Sequence, residues 1–447
     1  MFWLTATTVA ISIAATPFQQ QSVTAITNVR VIDGNGGDPI PQGVVVFQGD
    51  RITAVGPSEQ VSVPTGATVI DGTGMTALPG LADFHTHLIG GWDGDRVDIL
   101  GYRRYLNSLL YSGVTAVFDL GNVLPYVQQM HQEIEQGRLA GPRIYFAGPL
   151  IEGADPVWPP ISYAVSSVAQ IPGYVRQLKS AGVHVLKAYG GLSLMQLGML
   201  VREARRDSLN VIVDAWGANG TADVARTGVR AFAHVAGRDM TDEAVILMAD
   251  EGVANITTLT VVESFSRRRL QDLGFLNHDL IARTMPPWLL QELTDEATRP
   301  LTEVDGAAME RSRARLEAGM RNVKRLFDAG VLLVAGTDAP YPGVFLGEGI
   351  HRELELLVEA GLTPLQALTA TTKNAAILMD ASEEWGTLEP GRRADILIVA
   401  GNPAQRIGDT RQVEIVVQGG RVVDRRALEF DPATDPGYRT GVKVSGG

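Results

Sequence analysis

Cysteine is absent from the 447 residues. Disulfides and thiolate metal sites are therefore excluded, and any metal must be held by histidine, carboxylate or a modified lysine. A basic surplus is absent as well: 38 Lys and Arg face 50 Asp and Glu, for a formal net charge of -12. Without positive excess there is nothing to neutralise phosphates, so nucleic acid is not expected as a partner. No stretch suits a stable membrane span. The N-terminus is mostly apolar from Phe2 through Ala15 but too short to cross a bilayer comfortably. It reads as a secretory signal, with small residues at Ser12-Ile13-Ala14 before the polar Gln19-Gln20-Gln21. Its leading end has neither Lys nor Arg, which leaves an uncleaved anchor or a mis-assigned start codon as the alternative. Cleavage would make the protein periplasmic or secreted; otherwise it is cytoplasmic.

What is present is an ordinary globular balance, 45% hydrophobic and 20% charged, on a chain longer than one ordinary domain needs. From about Leu78 to Ser382, short apolar runs alternate with helix-period stretches. Strands are expected at Leu81–His87, Val114–Leu120, Arg143–Phe146, Val183–Tyr189, Val211–Ala215, Val229–His234, Ala254–Leu259 and Val331–Asp338. Eight strands, each followed by a helix, predict an α/β fold of the (β/α)8 TIM-barrel type over residues 78–382. An open doubly wound sheet is the alternative, but no glycine-rich phosphate fingerprint follows the first strand. β-rich text flanks this middle, with a hairpin turn at Gln48-Gly49-Asp50-Arg51 and an apolar strand at Ile396–Val399. Residues 22–77 and 383–447 are therefore expected to form one small β-sandwich domain from both chain ends, behind a signal peptide over 1–21.

In a barrel the chemistry lies at the C-terminal ends of the strands. Alternation along Leu81-Ala82-Asp83-Phe84-His85-Thr86-His87 puts Asp83, His85 and His87 on one face. Two imidazoles on one rigid face begin a metal site, although two backbone-satisfied histidines would look the same in isolation. The fourth strand ends near Lys187, whose pKa burial would lower. The fifth ends at Asp214, the sixth at His234 and the eighth at Asp338. Each has a bland explanation alone; together at strand ends they point to a metal centre of His85, His87, Lys187, Asp214, His234 and Asp338. Tyr189, Trp216, Trp158 and Tyr341 are expected to line a substrate pocket, in positions where aromatics equally often serve the core.

Other residues carry plainer expectations. His184 points away from Lys187 and is expected to be structural, His131 and His278 to lie at the surface, and His351 to serve packing. Asp83 is open between a group supporting the ligands and a buried structural carboxylate. Loops at Gly90-Gly91-Trp92-Asp93 and Gly153–Pro160 should lie over the mouth. The segment Glu263 to Asp305, with Arg267-Arg268-Arg269, exceeds a normal strand–helix link and is read as a lid, a homo-oligomer contact or a solvated face.

The ordered motifs resemble the amidohydrolase superfamily, in its imidazolonepropionase-like and Xaa-Pro dipeptidase-like branch. They are Leu78-Pro79-Gly80-Leu81-Ala82-Asp83-Phe84-His85-Thr86-His87, Val185-Leu186-Lys187, Ala231-Phe232-Ala233-His234, Gly336-Thr337-Asp338 and Gly386-Thr387-Leu388-Glu389-Pro390-Gly391. The resemblance implies a hydrolase of amide-type C–N bonds in small molecules such as short peptides or cyclic amides. It implies one or two divalent metal ions, zinc first, with manganese or another harder ion as the alternative. His85, His87 and Asp338 would hold one ion, and a carbamylated Lys187 would bridge to a second on His234. Asp338 would deprotonate the attacking water and pass the proton to the leaving amine.

One departure matters. The family usually carries His at the end of the fifth strand, where this chain has Asp214. Either Asp214 is itself a ligand, making the shell more anionic and favouring harder ions, or the site is mononuclear or crippled and Asp214 only hydrogen-bonds. The alternatives to a hydrolase are accordingly a vestigial small-molecule-binding barrel and a one-metal deaminase.

Overall fold

The computed structural model describes residues 22–89, 96–97, 99–214, 220–435 and 442–443. The signal stretch 1–21, the loop Gly90-Gly91-Trp92-Asp93 and Trp216 lie outside the described residues. The fold is α/β with parallel sheets. Each of the eight expected strands overlaps an observed one: Leu81–Thr86, Val114–Asp119, Arg143–Phe146, Val185–Ala188, Asn210–Asp214, Ala231–Ala233, Ala254–Ile256 and Leu333–Val334. The first three pair in parallel, and so do the last five. Leu150–Gly153 also joins the second group, by one bridge from Ile151 to Ala188.

Backbone hydrogen bonds link the groups on both sides. Phe146 O accepts from His184 N at 2.9 Å, and Ala335 O accepts from Phe84 N at 3.0 Å. An apolar cluster draws on both groups, including Ala82, Phe84, Phe118, Val185, Ile212 and Val334. Phe84 meets Phe118 edge-on at 5.6 Å. Burying one such ring stabilises by about 1.5–3 kcal/mol. A larger cluster lies between strands and helices, where helices such as Leu194–Arg206 bury one stripe. That helix starts on Ser193, whose hydroxyl accepts from Gln196 N while the Gln196 side chain reaches back.

Strand ends fall where backbone conformation turns. Asp338 takes φ 63° and His234 takes φ 67°, left-handed values that end an extended run. This is why the sixth strand stops at Ala233.

Strands from the two chain ends form one eight-stranded mixed sheet. Met75–Pro79 pairs antiparallel with Ile396–Ala400 and so ties the N-terminal strands to the C-terminal ones. The same strand runs through Gly80 directly into Leu81–Thr86. A Cβ at Gly80 would lie 2.2 Å from Thr115 Oγ1, so only glycine allows this close approach. The sheet thus anchors the strand that carries the histidines.

The segment after the seventh strand folds as Leu259–Phe265, Asp279–Ala282 and Pro287–Thr298 over its own apolar cluster of Leu270, Ile281, Leu289 and Leu293. Its arginine run is not a solvated face. Arg267 pairs with Glu296, Arg268 with Glu263 and Glu359, and Arg269 with Glu348. No described helix is long and apolar enough to cross a membrane.

Candidate metal centre

Gly336 decides how the last strand reaches the first. A Cβ there would lie 2.8 Å from both the N and the Cβ of His85. With no side chain, the backbone passes close, and Asp338 N donates to His85 O at 2.6 Å. Asp338 then turns its carboxylate onto both imidazoles: Oδ1 lies 3.3 Å from His85 Nε2 and 3.0 Å from His87 Nε2. The positive φ of Asp338 and His234 costs on the order of 1 kcal/mol each. Tertiary contacts hold it; Asn255 Nδ2, for instance, donates to His234 O at 2.8 Å.

His234 brings the second half of the site. Its ring centroid lies 4.5 Å from that of His85. Its Nδ1 is 2.7 Å from Thr258 Oγ1, and its Nε2 is 3.3 Å from Asp214 Oδ2. Lys187 Nζ lies 3.4 Å from the same Asp214 oxygen, without hydrogen-bond geometry. The six residues named from the strand ends therefore converge. Tyr189 and Tyr341 line the adjoining cavity, of about 520 Å³. Trp158 is not among the lining residues; it reaches the Tyr189 hydroxyl instead.

Asp83, expected on the face of the histidines, takes a different partner: it accepts from Thr337 N and Thr337 Oγ1. His184 packs against Tyr145 and Phe146, away from the site. His351 is fully buried in a structural cluster. His131 is not a surface residue; it is half-buried, with Nδ1 at 2.9 Å from Ile144 O.

The electrostatics follow from burial and neighbouring charge. Burial and the Lys187 cation hold His85 well below the ordinary imidazole range. Burial also opposes protonation of His87, but the Asp338 carboxylate outweighs it and the pKa rises. Burial lowers the Lys187 ammonium despite Asp214 and Asp338. Burial alone would raise Asp214; His234 and Lys187 reverse that and lower it.

His87 tests whether the residues suit a metal. Its Nδ1 faces the Gly121 carbonyl at 3.1 Å, an acceptor only, so Nδ1 must carry hydrogen. A neutral ring then aims the Nε2 lone pair at the Asp338 carboxylate. Two acceptors 3.0 Å apart require a cation or a second proton between them. Asp119 supports this tautomer by holding the loop, accepting from Leu88 N and Asn122 Nδ2. Three buried polar atoms nearby also lack hydrogen-bond partners among the described residues, His85 Nδ1, Lys187 Nζ and Asp214 Oδ2, although the last two lie within ion-pair distance. One donor atom each from His85, His234 and Asp338 lies within 4.8 Å of the others. Neutral nitrogens and carboxylate oxygens at this spacing suit a divalent ion.

A family model described as the amidohydrolase family matches residues 76–423, most of the chain. The chain belongs to the amidohydrolase family. Among relatives of this amidohydrolase, an imidazolonepropionase from Porphyromonas gingivalis is 24% identical over 424 residues, spanning 89% of this chain and 92% of its own. An adenine deaminase from Mesorhizobium japonicum is 24% identical, over 94% of this chain and 61% of its own. A crystal structure of a Xaa-Pro dipeptidase with bound methionine in the active site superposes with a TM-score of 0.72, at 21% identity, over 90% of this chain and all of that one. That last likeness speaks for the fold.

Some positions of the candidate site carried no sequence signal. Thr258 and Gly121 touch the His234 and His87 imidazoles and Asp119 holds the loop beside His87, and no motif marks them. Arg238, Arg315 and Phe265 line the cavity from a loop and two helices. No reading of the sequence singled them out.

Proposed function

We propose that this amidohydrolase cleaves amide-type C–N bonds in small substrates, short peptides or cyclic amides, with a divalent ion held by His85, His87, His234 and Asp338. The observation that carries the proposal is His87: its Nδ1–H is committed to Gly121 O, so its Nε2 and Asp338 Oδ1, 3.0 Å apart, form a pair that either a proton or a divalent ion must bridge. When bound, the ion would lower the pKa of water toward neutrality and polarise the scissile carbonyl. The Asp338 carboxylate takes the proton of the attacking water and returns it to the leaving nitrogen. Tyr189 and Tyr341 flank the cavity and orient the substrate's body. Thr258 and Gly121 keep the two imidazoles from rotating.

The same proposal takes the two parallel groups as one closed (β/α)8 barrel, supported by the Phe84–Ala335 and His184–Phe146 hydrogen bonds. It takes the mixed sheet from both chain ends as the core of a second, small β domain.

A second reading concerns ion count. Lys187 pairs with Asp214 at 3.4 Å, and a carbamate bridging two ions would have to displace that pair. The pairing favours one ion, and with it a deaminase as the rival activity. Elemental mass spectrometry of protein purified without chelators, with Asp338→Asn assayed beside it, tests both. At least one divalent ion per chain is expected, with turnover in the variant reduced roughly 10²- to 10⁴-fold. A metal-free protein that resists reloading, or unchanged turnover in Asp338→Asn, would defeat the proposal. Ammonia as the product would select the deaminase.

A further inference from the structure

The cavity beside the candidate centre has a second chemistry. Its lining includes Asp214, His234 and Asp338, but also Arg238 and Arg315. Arg238 follows the sixth strand in the same loop as His234, and Arg315 comes from the helix Glu303–Asp328. Both are exposed, and neither guanidinium has a carboxylate or carbonyl partner among the described residues. Their neighbours differ: Arg313 pairs with Glu310, Arg321 with Asp239 and Arg325 with Asp242. In a chain of net charge -12, two unpaired cations on one cavity run against the prevailing sign.

Gly237 brings the two together. A Cβ there would lie 3.0 Å from Arg315 Cγ, so the stem of Arg315 rests on the residue next to Arg238. Ser312, three residues before Arg315 on the same helix, also lines the cavity. It is only 8% exposed and has no hydrogen-bond partner among the described residues. Another part of the wall is apolar: Phe265 is 50% exposed and stands edge-on to Tyr341 at 5.3 Å.

We propose that Arg238, Arg315 and Ser312 form an anion subsite, so that the substrate carries a carboxylate distal to the scissile C–N bond, joined to it by an apolar segment that rests on Phe265. This deepens the hydrolase proposal for the same cavity and rests on it. Guanidinium groups match a carboxylate with paired donors, and the serine hydroxyl adds a third. The two guanidinium groups favour the orientation in which the carboxylate lies away from the candidate metal centre.

Calorimetric titration of the metal-loaded full chain with 4-phenylbutyrate and with neutral 4-phenylbutan-1-ol tests the subsite. The carboxylate is expected to bind roughly tenfold more tightly than the alcohol. Arg238→Gln and Arg315→Gln should each weaken carboxylate binding, and the double variant should erase the preference while leaving alcohol binding unchanged. Equal binding of the two probes by the unaltered protein, or a preference that survives in the double variant, would overturn the proposal. Both arginines are exposed, so the variants should fold; replacement of both by lysine should retain part of the preference. Turnover of dipeptides and dipeptide amides is measured separately. An arginine-dependent preference without turnover defeats the hydrolase proposal alone. Equal turnover of acids and amides, unaffected by the arginines, defeats the subsite alone.

Discussion

Asp83 accepts two hydrogen bonds from Thr337, the residue before Asp338: 3.0 Å from its amide and 2.7 Å from its hydroxyl. The first strand therefore carries both two metal-ligand candidates and the group that positions a third. Burial pushes the Asp83 carboxyl up to about 7, against the pull of Thr337 and the His85 amide. Asp83→Ala would leave two buried donors unsatisfied and should cost about 1–3 kcal/mol. Metal content should fall with it, because the turn that aims Asp338 loosens. Asp83→Asn, close in shape to the neutral acid, should be much milder. Denaturant unfolding and elemental analysis of the two variants check this; equal effects would mean that Asp83 acts through charge rather than through its hydrogen bonds.

The Lys187–Asp214 pair predicts an asymmetry. Lys187 is 1% exposed, whereas the Asp214 side chain is 20% exposed and also touches His234. Asp214→Ala strands a buried cation and should destabilise the metal-free protein by on the order of 3 kcal/mol, reduced by that partial exposure. Lys187→Met leaves Asp214 with His234 and should cost less. Unfolding curves in chelator give the comparison, and a reversed order would show that the two groups do not pair in solution.

Stability should fall in acid. Burial, with Arg411 adding, lowers His351 from 6.5 to about 3. Its Nε2 donates to Ser112 O and its Nδ1 faces Thr410 Oγ1. His184 is lowered by burial and by His131 to about 4. Both pKa values are depressed on folding, so their stabilisation is present above pH 6.5 and is lost as pH falls toward 3–4. The unfolded state binds more protons over that range, with a slope of up to about 1.4 kcal/mol per pH unit for a fully titrating site. Denaturant midpoints at pH 7 and pH 5 should show the loss. His351→Gln should lower stability at pH 7 and flatten the slope; an unchanged slope would remove His351 as its source.

Gly153→Ala should disturb the backbone beside Tyr189, a cavity-lining residue. A Cβ at Gly153 would lie 2.4 Å from Gly191 O, a backbone atom that cannot swing aside. Gly153 N also donates to Gly190 O at 3.0 Å, so the loops after the third and fourth strands touch there. Tyr189 is the next residue along. Overpacking of this kind costs about 1–3 kcal/mol, and KM should rise with Tyr189 displaced. A thermal midpoint and KM equal to those of the unaltered protein would show that the loops separate freely.

Much of the centre was legible before the fold was known. Apolar runs a few residues long, ending in His85, Lys187, Asp214, His234 and Asp338, mark strands whose last residues the fold brings together. The fate of Asp83 was not legible, because alternation gives a direction and not a partner; its partner sits at position 337, on the other side of the fold. The arginine run 267–269, left open between a lid, an oligomer contact and a solvated face, was undecided for a similar reason. Three adjacent cations suggest a solvated face, yet each finds an acid elsewhere in the chain.

Composition and local pattern by themselves determined the absence of thiolate chemistry, the alternating strands and helices, and the side chains that end the strands. These follow from residue type and from periods of a few residues, which short-range sterics and burial enforce. Only the tertiary structure decided which nitrogen of His87 faces Asp338, that Asp214 pairs with Lys187, and that Arg238 and Arg315 share one cavity. Those facts depend on contacts between residues far apart in sequence, where a carbonyl at Gly121 or the missing side chain at Gly336 and Gly237 sets the outcome, and no local pattern encodes such a meeting.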